Sequence, residues 1–163
     1  MMLLPALRNL GLGAGALLGL GLCVSATHAQ DRGVQRTAAP FPGGQAHYYE
    51  SCGGCHGLQG VSAQNSIPVL RDRVGAFLCT EEGRKYIVQL PNVAWAAVDD
   101  RTLADVMNFV VFDLGRDSVP ARARRYTPGE VHLLRASPLK NQPLANVRQQ
   151  VLGRALASCA RPD

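Results

Sequence analysis

A chain of 163 residues with a net charge of +5, from 17 basic and 12 acidic side chains, has the length for one domain of ordinary size and none for a second. Its mild basicity suits an acidic protein partner or plain solubility. No aromatic residues are interleaved with the arginines as a single-strand nucleic-acid platform requires, so a nucleic-acid ligand is discounted.

In chain order, Arg8 is followed by an uncharged run from Leu10 to Val24 and then by Ser-Ala-Thr-His-Ala, which reads as a secretory signal peptide over 1–29, cut after Ala29 or, failing that, Ala26. The run is roughly 15 residues against the ~20 that a spanning helix needs, so a retained anchor is the weaker reading, and no later stretch suits a membrane span. Cys23 follows Leu22, too large for a lipidation signal, and belongs to the discarded segment. The expectation is an exported product in the periplasm, an oxidising compartment, with no membrane span after processing. Residues 30–43 carry Pro40, Pro42 and Gly43-Gly44 and read as a flexible lead-in.

Gln45 to Ser51 reads as a short helix leading into Cys52-Gly53-Gly54-Cys55-His56. That pentapeptide is the C-x-x-C-H pattern of covalent c-type haem attachment. Two thiols three positions apart can each form a thioether to a haem vinyl group, and the adjacent histidine supplies an imidazole nitrogen to the iron. Two other readings compete. A disulfide redox pair would belong to a thioredoxin-like fold, whose strands this sequence lacks. A closed zinc site would need two more suitably spaced ligands. The polar, glycine-rich loop from Gly57 to Pro68 reads as a wrap over something larger than its own side chains, a need that a haem would fill.

Further along, Val69–Cys79 and Thr80–Leu90 read as short helices, the second with an acidic first turn and a stop at Pro91. A loop from Asn92 to Val98 precedes a patterned helix with Leu103, Val106, Met107, Val110 and Leu114 on one face, closed by Gly115. After an arginine-rich link, Arg116–Arg125, the run Thr127-Pro128-Gly129-Glu130 fits a capping box opening another helix. Ser137–Pro143 is a break, and Leu144–Ser158 supports a last helix with Val147, Val151, Leu152 and Leu156 on one face. The class is all-α, with no strand pairs and no internal repeat.

The segment from Gly44 through His47-Tyr48 to Cys52-Gly53-Gly54-Cys55-His56-Gly57 resembles the first helix and haem motif of class I cytochromes c. The resemblance implies a helical domain around one covalently attached haem, with Gly44 and Tyr48 packing against Phe109. Ile67-Pro68-x-Leu70, Gly83-Arg84-x-Tyr86-x-Val88-Gln89-x-Pro91 and Asn108-Phe109 are similar to small cytochromes found alongside bacterial periplasmic dehydrogenases. On this basis 44–115 is the cytochrome domain and 116–163 a basic helical extension packed on it. The function implied is one-electron transfer between a periplasmic redox donor, such as a dehydrogenase, and a respiratory acceptor. The alternatives are a haem enzyme or gas sensor with an open iron site, and a subunit working only within a dehydrogenase complex.

The second axial ligand stays open. The family's methionine lies in the loop corresponding to Leu90–Val98, which has none here; Met107 is the only methionine beyond the signal and is equally a packing residue. His47, His132 and a vacant position are the other options. Cys79 and Cys159 are the cysteines left over, expected to form a disulfide in an oxidising compartment. Arg71, Arg73 or Arg84 is a candidate partner for a haem propionate. Arg122, Arg124 and Arg125 are candidates for a docking patch. Trp95 packs either on the macrocycle or in the core.

Overall fold

The computed structural model of the chain describes residues 42–160. The expected signal peptide and the lead-in up to residue 41 lie outside the described residues. Among those described, every regular element is helical. Seven α-helices follow in order: α1 Gly43–Ser51, α2 Gly53–His56, α3 Glu81–Gln89, α4 Pro91–Ala94, α5 Asp100–Asn108, α6 Pro128–Arg135 and α7 Leu144–Cys159.

The central crossing is between α1 and α5. A side chain at Gly44 would overlap the backbone carbonyl of Asp105, so only glycine lets the helices approach this closely. One turn on, Tyr48 is fully buried and its ring lies 5.4 Å from that of Phe109. The Asp99 side chain caps α5 by accepting from the Thr102 N–H at 2.7 Å. Leu103, Ala104, Val106 and Met107 form its buried face. The sequence pattern extends this helix unbroken to Leu114, but from Phe109 the backbone widens into a π-helical turn, Phe109–Leu114, before Gly115.

Two further expectations are corrected. The helix expected over Val69–Cys79 is a 3-10 helix of Val74–Cys79 only. The N–H groups of Leu70 and Arg71 both go to the Gly60 carbonyl, and Asp72 adopts φ 52°, so no helical ladder can start earlier. The loop expected from Asn92 opens as one turn of helix. Pro91 ends α3 by lacking an N–H and starts α4 from the first helical position.

The extension is part of the core. Arg84 on α3 is only 3 % exposed. It donates to both Glu130 oxygens at 2.6 and 2.7 Å and to the carbonyls of Arg124 and Arg125, and it stacks on the Tyr126 ring at 3.9 Å. Thr127 caps α6 by accepting from the Glu130 N–H, but the Glu130 carboxylate turns to Arg84 and does not complete the capping box. Helix α7 packs on the 3-10 helix and α3, burying Val151 and Ala155; Leu156, expected on that face, is half exposed. Cys79 and Cys159 stand at disulfide distance, their Cα atoms 5.3 Å apart.

The Arg84–Glu130 pair sets an acid limit. Burial pushes the Glu130 carboxyl up, but the hydrogen bonds and charges of Arg84 and Arg124 outweigh it and hold it below the usual glutamate value. A folded value below the unfolded one means that the stabilisation is complete above the unfolded pKa and is lost as pH falls through the folded one. Glu130→Gln leaves Arg84 buried without its counter-charge and is expected to cost ~3 kcal/mol near neutrality. Urea titrations across pH 3–7 should show that difference shrinking toward the acid end; an equal gap at every pH rejects the pair as its source.

Candidate functional site

Cys52, Cys55 and His56 come together where α1 gives way to α2. The N–H groups of Cys55 and His56 both donate to the Cys52 carbonyl, at 3.2 and 3.0 Å, which folds the motif into one tight turn. Gly57 follows at φ 75°, a left-handed conformation in which any Cβ would strike the Val61 carbonyl. The Tyr48 hydroxyl donates to the Gly57 carbonyl at 2.7 Å, tying the end of the motif back to the core. Burial pushes that hydroxyl up to about 12, so it remains a donor.

The loop after the motif orients the histidine. Its ends are drawn together by Gly60, and Arg71 donates to the Gln59 carbonyl and side-chain oxygen at 2.6 and 2.7 Å. Pro68 is thereby set beside His56, with its carbonyl 3.0 Å from Nδ1. A carbonyl only accepts, so Nδ1 carries the proton and Nε2 keeps its lone pair for a metal.

Cys52 and Cys55 are both unbonded. Burial, with Cys55 adding to it, pushes the Cys52 thiol up. A partly buried thiol held in this way is a poor nucleophile at Cys52 itself. Among the described residues no three His, Cys, Asp or Glu side chains gather as metal ligands, whereas a closed zinc centre takes four.

Cys52 and His56 form one wall of a cavity of about 670 Å³. Met107, Leu103, Val106 and Val110 of α5 and the π turn contribute another wall, Val74, Phe77, Tyr86 and Ile87 a third, and the segment from Leu90 to Val98 a fourth. The lining is overwhelmingly apolar, and the exposed residues Ser66, Asn92 and Ala97 mark where it meets solvent. An apolar hollow this large, with the His56 imidazole and the Cys52 thiol on one wall and Cys55 exposed in the same turn just outside it, fits a flat, iron-bearing macrocycle in size and in donor set.

The candidates from sequence separate here. Met107 is 4 % exposed and lines the cavity. His47 also reaches its edge, while facing Glu50 at 3.5 Å. His132 is exposed, bound to Asp100 at 2.9 Å, and no part of the lining. None of the arginines put forward for a propionate lines the cavity: Arg84 is spent on Glu130, Arg71 holds the loop, and Arg73 lies outside. Of the arginines put forward for docking, Arg124 bonds Glu130 and Glu81, and Arg125 covers the Phe112 ring at 4.9 Å. Trp95 is 62 % exposed and takes neither role expected of it.

Two builders of the site were missed. Arg135 of α6 donates to the carbonyls of Ala94, Ala96 and Val98 and to Asp100, clamping the loop that forms the fourth wall. Leu144, Ala145 and Arg148 of α7 line the cavity directly. Their spacing on one helix face was the available signal. No protein-family model, curated protein or solved structure matches the chain.

Proposed function

We propose that this chain is an exported c-type cytochrome, carrying single electrons in the periplasm from a redox donor such as a dehydrogenase to a respiratory acceptor. The observation that carries the reading is the His56 ring, held by the Pro68 carbonyl with Nε2 free, in one turn with two unbonded thiols, Cys52 on the wall of a large apolar cavity and Cys55 exposed beside it. Cys52 and Cys55 would each add a thiol across a vinyl group, sulfur to one carbon and hydrogen to the other, so that no oxidant is consumed. The bound haem would supply a ferrous–ferric couple at its iron. His56 would hold the iron, the apolar walls would exclude water, and once the tethers are made the chain would do no further bond chemistry. Among the described residues no helix is long and apolar enough to cross a membrane.

Met107 is the proposed second ligand, as the one thioether on the cavity wall. Chain matured in a host that attaches haem should gain the haem mass on the Cys52–His56 peptide and show, when oxidised, the near-infrared band of iron–methionine ligation. Met107→Ala should abolish that band and lower the reduction potential. A parent without the band, or a variant that retains it, rejects Met107. Rapid carbon monoxide binding by the reduced parent would move the reading to an open-site haem protein.

A further inference from the structure

The cavity holds one unbalanced charge. Among its lining residues are no Asp or Glu, and the only permanently charged one is Arg148. The other arginines that pin the extension each have a carboxylate: Arg84 has Glu130, Arg135 has Asp100, and Arg154, two turns along α7, has Glu82 at 2.7 Å. Arg148 has none within ion-pair distance among the described residues; its guanidinium sits over the Phe77 ring, 5.7 Å from the centroid. Beside it is a second polar side chain. Tyr86 is 5 % exposed, stacks on Phe77 at 5.3 Å and lines the same cavity. The positive field of Arg148 reaches that hydroxyl.

A guanidinium and a hydroxyl, each packed on Phe77, thus line an apolar hollow that holds no carboxylate. A carboxylate can accept from both and supplies the counter-charge that the lining lacks.

We infer that Arg148 and Tyr86 form the binding site for one carboxylate of the cofactor, a haem propionate, and that the C-terminal helix is present to deliver it. This rests on the proposed haem reading of the cavity. The consequence is electrostatic as well as positional. A cation beside the propionate disfavours the extra positive charge of ferric iron, so Arg148 raises the potential.

The test uses the haem-loaded protein and reads its midpoint potential. Arg148→Gln should shift the ferric–ferrous balance about tenfold toward ferric, a fall of about 59 mV for a one-electron couple. Arg148→Lys, which keeps the charge, should recover most of it. Tyr86→Phe should lower the potential by less. Arg154→Gln, on the same helix but paired outside the cavity, should leave it unchanged. With Arg148 gone the propionate gains a proton more readily, so the potential of Arg148→Gln should become pH-dependent nearer neutrality than that of the parent. A haem-loaded Arg148→Gln with the parent's potential and pH profile overturns the assignment, whatever Tyr86→Phe does. Absence of covalent haem from the parent itself would instead overturn the reading beneath it.

Discussion

Cys52→Ser with Cys55→Ser is expected to give a colourless chain that no longer unfolds cooperatively. Serine nearly matches the thiol in size, so the change removes the tether and leaves the turn that depends on the Cys52 carbonyl intact. What is lost is whatever fills the hollow. The hollow is apolar-walled and opens to solvent at Ser66, Asn92 and Ala97, so when emptied it wets apolar surface at roughly 25 cal/mol per Å². The chain cannot keep these walls apart around nothing, so it should collapse or flood, with helical signal reduced and apolar dyes bound. Denaturing electrophoresis followed by haem staining reads the tether, and urea titration reads the fold. Covalent haem in the double variant would reject the two thiols as its attachment points. A sharp, parent-like transition without haem would mean that the cavity needs no occupant.

How far the site was legible depends on how local each signal is. The motif is five consecutive residues, and its chemistry follows from residue type and order alone. Gly44, Tyr48 and Phe109 were found through resemblance, and the close α1–α5 approach gives them a physical reason. The caps at Thr80, Asp99 and Thr127 are equally local, each accepting from the N–H three residues on. Arginines are different. Fifteen arginines look alike in sequence, and only tertiary distance sorts Arg84 to a buried pair, Arg135 to a loop and Arg148 to the cavity. The break of α5 into a π turn and the late start of the 3-10 helix were hidden for the same reason. Both answer to partners far along the chain, such as Asp72 donating its N–H to the Leu114 carbonyl at 2.9 Å. The resemblance ends before 116–163, so the sequence placed that stretch as an extension packed on the domain without revealing that its side chains finish two walls of the site.

The other large effect is expected from Cys79→Ser with Cys159→Ser. Both must change together, because in the oxidising compartment proposed for this chain a single leftover thiol would compete for Cys52 or Cys55 before haem is attached. The bridge closes a loop of sequence separation 80, for which the chain-entropy estimate is about 4.5 kcal/mol. The loss should not spread evenly. Cys159 ends α7, and apart from the bridge that helix is held mainly by its buried Val151 and Ala155, the exposed Arg154–Glu82 pair being screened and adding little. Loosening it withdraws Leu144, Ala145 and Arg148 from the cavity wall. Haem-loaded double variant should therefore show a lower midpoint in urea and, in the same preparation, a potential displaced in the direction of Arg148→Gln. Hydrogen exchange should rise in α7 ahead of α1 and α5. If stability falls while the potential and the α7 amides stay as in the parent, the bridge acts only on the unfolded chain, and Arg148 is kept in place by its stacking on Phe77 alone.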